Sequence, residues 1–129
     1  MTDFSQRTAL IVDDEPIVRE ILHGMFKALG FRDVAVCSDG FESIDRMQEA
    51  KFDLAVIDIR LGTEDGLDIA RALRRLDGRE GTRILVVTAS RDYGAVIAAK
   101  RAGADDILLK PFTRDVLRER LEKLFAGRR

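Results

Sequence analysis

The sequence predicts an α/β fold: a doubly wound, five-stranded parallel sheet with helices on both faces. Two observations predict it. Five short runs of apolar, often branched residues recur along the chain, and the stretches between them carry apolar residues at helical spacing. The runs are apolar throughout instead of alternating, which suits strands buried on both sides, and amphipathic crossovers between parallel strands supply that burial.

The elements follow in order. Residues 9–12 make a first run of strand length. Ile17, Val18, Ile21, Leu22, Met25, Phe26 and Leu29 then repeat at steps of one, three and four, which reads as one buried helical stripe. Pro16 suits the first helical position, where its missing N–H would be unpaired anyway, and Gly30 is the expected C-terminal stop. Residues 34–37 form a second strand, followed by a helix through Phe41, Ile44 and Met47. Residues 54–57 form a third, followed by Ile69, Ala70, Leu73 and Leu76. Residues 84–87 form a fourth, followed by Val96, Ile97 and the small residues from Ala99 to Ala102. Residues 107–109 form the fifth, and Val116, Leu117, Leu121, Leu124 and Phe125 the last helix.

At 129 residues the chain has the size of one domain with one substantial core, about residues 8–125. Lys and Arg number 22 against 23 Asp and Glu, spread along the chain, so no basic patch points to direct nucleic-acid binding. The lone cysteine, Cys37, excludes an internal disulfide framework and a cysteine-rich zinc site, and reads as a small buried hydrophobe. No apolar run reaches the length of a membrane span, and the polar start lacks the core of a signal peptide. The expected location is the cytoplasm. Residues 126–129 read as a tail or the stub of one, and no output domain is expected within this chain, which fits either a stand-alone regulator or a piece of a larger protein.

Ligands of open parallel sheets bind outside the carboxyl ends of the strands. There the first strand runs into Asp13-Asp14-Glu15, the third into Asp58, the fourth into Thr88 and the fifth into Lys110-Pro111. Packed carboxylates repel one another, so such a cluster holds a proton or a cation. Mg²⁺, with Mn²⁺ as a substitute, resolves the repulsion through an oxygen shell completed by water and a phosphate oxygen. A phosphoryl donor then meets the Asp58 carboxylate, with Lys110 neutralising the equatorial oxygens and Thr88 donating one hydrogen bond.

Leu10-Ile11-Val12-Asp13-Asp14-Glu15-Pro16, Asp58 with Asp65-Gly66 after it, Val87-Thr88-Ala89, and Gly103-Ala104-Asp105-Asp106 leading to Lys110-Pro111-Phe112 stand in an order and spacing that is highly specific. From Thr8 to Phe125 the chain resembles a response-regulator receiver domain of two-component signalling. The resemblance implies the flavodoxin-like three-layer sandwich with strand order 2-1-3-4-5, the order of chemotaxis receivers. It implies phosphorylation of Asp58 by a histidine kinase or phosphotransfer protein. Asp14, Asp58 and the backbone carbonyl of Arg60 would ligate Mg²⁺, with Asp13 acting through a coordinated water. Thr88 and Lys110 would bind the phosphoryl oxygens, and the Lys110–Pro111 bond would be cis. Such a domain phosphorylates and dephosphorylates itself and is not a classical enzyme. Its output face would lie from Arg91 to Phe125, open to an unidentified protein target or to a second copy as a homodimer.

Four positions depart from the family. Ile107 stands where an aromatic residue is usual, so a switch would use aliphatic repacking or another element. Arg60 and Ser90 stand where, in the family, residues border the phosphoryl group and tune its lifetime, and Gly62 stands where a proline is common, which would free the loop. Taken singly, each motif has a plainer reading: Asp13-Asp14 as a helix cap, Thr88 as a strand-end hydroxyl, Lys110 as a surface lysine, and His23 as a surface histidine. Arg71, Arg74 and Arg75 share a helical face that reads as solvent, or as a partner surface. Gly40, Gly66 and Gly103 read as turns and helix ends. Among other functions, a haloacid-dehalogenase-like phosphatase needs its nucleophile at the end of the first strand, and a nucleotide binder needs a Gly-rich or hydroxyl-rich loop where Asp13-Asp14-Glu15 stands. A receiver fold that only docks would lack the acids, Thr88 or Lys110.

Overall fold

The structure, a computed structural model, describes residues 2–126. The tail at Gly127, Arg128 and Arg129 lies outside them. Strands β1 (Thr8–Val12), β2 (Asp33–Cys37) and β3 (Leu54–Asp58) alternate with helices α1 (Pro16–Ala28) and α2 (Gly40–Glu49). A short antiparallel hairpin, β4 (Arg60–Leu61) and β5 (Glu64–Asp65), precedes α3 (Gly66–Arg74). Then come β6 (Arg83–Thr88), α4 (Tyr93–Arg101), β7 (Asp106–Leu109) and α5 (Arg114–Phe125). The main sheet is parallel with order β2-β1-β3-β6-β7. Counting only its five strands, that is the expected 2-1-3-4-5.

Alternation along each strand divides the core in two. Ala9 and Ile11 of β1 join Leu22, Phe26, Leu117, Leu121 and Phe125 on the α1 and α5 side. Leu10 and Val12 join Met47, Leu61, Ile69, Leu73 and Ala99 on the other. Successive side chains of a strand point to opposite faces, so continuous apolar runs cover both. Cys37 sits in the second cluster, where burial, then the charge of Glu42, pushes its thiol up to about 12.

Helix ends follow local chemistry. Pro16 occupies the first turn of α1, and Gly30 follows its end at φ 98°. Asp39, Asp65, Asp92 and Thr113 cap the next four helices through side-chain bonds to backbone N–H groups.

Apolar spacing overstated three burials. In α1 only Leu22, Phe26 and the following Leu29 are buried, whereas Ile17 is 72% and Ile21 53% exposed. Each residue turns about 100° from the last, so a stripe this wide cannot all face one sheet. Phe41 in α2 is 77% exposed for the same reason, and Met47 is buried.

Arg74 also departs from the solvent reading. Its guanidinium donates to the carbonyls of Thr82 (2.7 Å) and Gly103 (2.8 Å) and pairs with Asp105 at 2.8 Å. Arg79 Nε donates to Met47 O (2.6 Å) in the last turn of α2, and Arg83 Nε to Leu124 O (3.2 Å) in the last turn of α5. In a doubly wound sheet all helices end at the pole where strands begin. Their free carbonyls gather there, and arginines answer them. At the opposite pole the strands end, the helices begin, and the acids collect.

Candidate functional site

Parallel register brings the expected residues to one edge. Val12 pairs with Ile57, Asp58 with Val87, and Thr88 with Leu109. Asp13 and Lys110, which follow Val12 and Leu109, therefore emerge beside Asp58 and Thr88. Lys110 N donates to Thr88 O at 2.8 Å, which ties the last two strands at this edge. The Lys110–Pro111 peptide is cis, as the resemblance implied.

Asp58 is 8% exposed. Its Oδ1 accepts from Arg60 N at 2.9 Å, and its Oδ2 lies 2.6 Å from Lys110 Nζ. Burial pulls the Lys110 pKa down, but the hydrogen bond and charge of Asp58, with the charge of Asp13, outweigh it and raise the net value. The ammonium therefore persists beside the acids.

Asp13 is the more strained carboxylate electrostatically. Its Oδ1 accepts from Glu15 N at 2.9 Å, while Oδ2 is buried with no hydrogen-bond partner among the described residues. Lys110 Nζ stands 3.6 Å from it, near enough to pair as a charge but not to donate well. Burial pushes the Asp13 pKa up to about 6; the Glu15 N–H and Lys110 pull it down, and Asp58 pushes it up further. An orphaned buried carboxylate oxygen is the observation a bound cation would explain.

Asp13, Asp14 and Glu15 offer carboxylate oxygens within 4.8 Å of one another, with Asp14 and Glu15 exposed. Asp58 stands outside that group, held by Arg60 and Lys110. The helix-cap reading of Asp13-Asp14 does not hold: Glu15 occupies the N-cap of α1, without a side-chain cap bond.

Thr88 is 6% exposed, and its Oγ1 accepts from Ser90 N at 3.0 Å. A hydroxyl that accepts there keeps its own proton for another acceptor. Glu15, Asp58, Arg60, Thr88, Ser90 and Lys110 line a cleft of ≈ 480 Å³.

The hairpin after Asp58 was not expected. Its two-residue turn has Gly62 at φ 59° and Thr63 without a positive φ, the pattern of a type II′ turn. Gly66 N donates to Ile59 O at 2.7 Å, so the Arg60–Asp65 pair is a non-hydrogen-bonded position and the Arg60 carbonyl takes no rung of the ladder. Strands of two residues lie below any periodic signal; the sequence offered only Leu61 beside Gly62.

Two more residues escaped sequence reasoning. Arg19, one turn into α1, donates to Asp13 O at 2.8 Å and fixes the backbone of the acid cluster. Glu64 accepts from Gly40 N at 3.1 Å and ties the hairpin to α2. Ile107 lines a separate groove with Thr88, Val96, Leu109 and Arg120, on the other side of Thr88 from Asp58.

The family model of the response regulator receiver domain matches residues 9–122. The chain belongs to the response regulator receiver domain family. Among the receiver proteins it resembles, the chemotaxis protein CheY of Pseudomonas aeruginosa is 34% identical over 116 residues, covering 90% of this chain and 94% of that protein. A putative response regulator from Chloroflexus aurantiacus superposes with a TM-score of 0.86 at 32% identity, over 93% of this receiver and 98% of that chain. The receiver domain of a Pseudomonas aeruginosa sensor histidine kinase, at 28% identity and a TM-score of 0.82, covers 91% of this chain and 95% of its own, and it carries a magnesium ion in its active-site cleft. The chain is thus a receiver domain of the CheY-like kind used in two-component signalling. No helix among its described residues is long and apolar enough to cross a membrane.

Proposed function

We propose that this receiver domain takes a phosphoryl group onto Asp58 in a Mg²⁺-dependent reaction and uses the modification to switch a partner-binding face. The observation that carries the proposal is the pairing of Lys110 with Asp58 at 2.6 Å beside the orphaned Oδ2 of Asp13.

Asp13, Asp14, Asp58 and the Arg60 carbonyl would hold the metal, Asp13 through a coordinated water. The donor set is all oxygen, as a hard divalent ion requires, and the unpartnered Asp13 oxygen fits such a shell. When bound, Mg²⁺, or Mn²⁺ in its place, supplies charge neutralisation at the phosphoryl oxygens. The chain's own residues supply the rest. A carboxylate oxygen of Asp58 attacks phosphorus, the bond from phosphorus to the donor's leaving atom breaks, and that atom departs with the electron pair. Lys110 follows the negative charge from the carboxylate to the phosphoryl oxygens. Thr88, whose hydroxyl proton is uncommitted, donates to one of them.

The donor is a histidine kinase or phosphotransfer protein, as the family implies. For output, Tyr93, Ile97 and Val116 expose apolar surface on α4 and α5, within the face from Arg91 to Phe125. Thr88 and Ile107 line the groove on that face. A Thr88 drawn toward the phosphoryl group leaves its place beside Ile107, so aliphatic repacking supplies the switch without an aromatic ring. Location in the cytoplasm, absence of direct nucleic-acid binding and homodimerisation through this face belong to the same reading.

Incubation with Mg²⁺ and acetyl phosphate, followed by intact mass, tests it. The proposal expects one added phosphoryl group, absent in Asp58→Asn and absent without the metal. Steady phosphate release with no accumulated adduct would instead indicate a hydrolase.

A further inference from the structure

A groove of ≈ 400 Å³ lies between α2, α3 and the β4–β5 hairpin, away from both the cleft and the α4–α5 face. Ile44 and Ile69 contribute its apolar wall, and Phe41, 77% exposed, stands at its edge. Phe41 thus extends the apolar wall of Ile44 and Ile69 into one exposed patch beside the groove. Three acids, Glu64, Asp65 and Asp68, line the same groove, and among the described residues no Lys or Arg does. Two of them are held by one oxygen to backbone N–H groups, Glu64 to Gly40 and Asp65 to Leu67. Asp68 pairs with Arg71 in an exposed contact that a competing cation can replace at small cost.

The groove is also wired to Asp58. Asp58 Oδ1 holds Arg60 N at 2.9 Å, Arg60 and Leu61 pair with Asp65 and Glu64, and Glu64 Oε1 holds Gly40 N at 3.1 Å. Gly40 has no slack: a Cβ there would lie 2.5 Å from Ile69 Cδ1 and 2.9 Å from Glu64 Oε2. A displacement of Arg60 by a group on Asp58 would be handed on through the hairpin to the start of α2, where Phe41 sits.

We propose that this groove docks a basic amphipathic segment of a partner protein, with Phe41 as the apolar anchor and the acids as its charged rim, and that its affinity changes with the state of Asp58. A second copy of the chain does not fit, because a two-fold contact would set acids against acids. The proposal rests on Asp58 being the phosphoacceptor; a docked segment can be favoured by phosphorylation only if it distinguishes the two positions of the hairpin.

An amphipathic peptide of Leu and Lys, titrated into the full chain and followed by amide shifts in NMR, is the probe, with a Leu and Glu peptide as control. The expected shifts centre on α2, the hairpin and α3, with affinity falling about tenfold in Phe41→Ala, a change of about 1.4 kcal/mol. They should weaken several-fold in Glu64→Gln, which keeps an acceptor for Gly40 N while removing charge. Addition of Mg²⁺ and beryllofluoride should change the affinity several-fold. Shifts centred on another face, equal binding of the acidic peptide, or wild-type affinity in Phe41→Ala would overturn the docking site. Unchanged affinity while the Thr88 amide shifts with beryllofluoride would overturn the coupling. No response at Thr88 would strike at the reading of Asp58 itself.

Discussion

Lys110 reaches Asp58 Oδ2 at 2.6 Å but stops 3.6 Å short of Asp13 Oδ2, so one ammonium neutralises one acid and leaves the other under-served. That asymmetry leaves the buried Asp13 oxygen with an electrostatic cost that a bound cation would relieve. It also makes the site measurable without any knowledge of the partner.

The first prediction concerns stability in the absence of metal. Asp13 has its carboxyl raised from 3.8 to about 6, chiefly by burial. Between those values the folded chain binds more protons than the unfolded one, so this contribution to stability falls as pH rises through the window and is lost above about 6. Removing the charge should help: Asp13→Asn should stabilise the metal-free protein by on the order of 1–3 kcal/mol at neutral pH. Urea denaturation across the pH range checks both statements. A wild-type stability that instead rises through this window, or a destabilised Asp13→Asn, would contradict them.

Metal binding should show the inverse dependence. A ligand shell of ionised carboxylates competes with the proton on Asp13, so Mg²⁺ should raise the melting temperature at about pH 8 and much less at about pH 5. Asp13→Asn should lose most of the increment at the higher pH. An equal Mg²⁺ effect at both values would mean that the ion binds elsewhere.

Much of this was legible in the amino-acid order, and the reasons are specific. The strands announce themselves because both faces are buried, so apolarity is continuous from Leu10 to Val12 and from Leu54 to Ile57. Parallel register then carries Asp13, Asp58, Thr88 and Lys110 to one edge without further information. Azimuth is harder to read. Ile17, Ile21 and Phe41 are as apolar as their buried neighbours, and only the packing of α1 and α2 shows that they face outward. The β4–β5 hairpin is too short to imprint a period, and the reach of Arg74 to another loop depends on chain geometry rather than spacing.

Arg74 yields a structural prediction. Its guanidinium supplies donors to Thr82 O and Gly103 O and pairs with Asp105. Arg74→Ala removes this charged donor from the Thr82 and Gly103 carbonyls and should cost about 1–3 kcal/mol. Arg75→Ala, one residue on and exposed, should be near neutral. Denaturant midpoints of the two variants make the comparison; equal midpoints would return Arg74 to the solvent face.

Arg60 bears on the lifetime of the modification. Its backbone N–H is committed to Asp58, but its side chain stands exposed at the rim of the cleft. A guanidinium there would shield a phosphoryl group on Asp58 from attacking water, so Arg60→Ala should lose phosphate several-fold faster than wild type. Decay measured after removal of the small donor decides this, and identical rates would remove the side chain from the account.

The central claim is that Asp58, among all the acids at this edge, carries the phosphoryl group. Reduction with borohydride converts an aspartyl phosphate to homoserine and so marks the modified residue permanently. After treatment with Mg²⁺ and acetyl phosphate, peptide mass spectrometry should find homoserine at position 58 alone. Homoserine at Asp13 or Asp14, or an unmodified Asp58 in protein whose Mg²⁺ binding is intact, would contradict the claim.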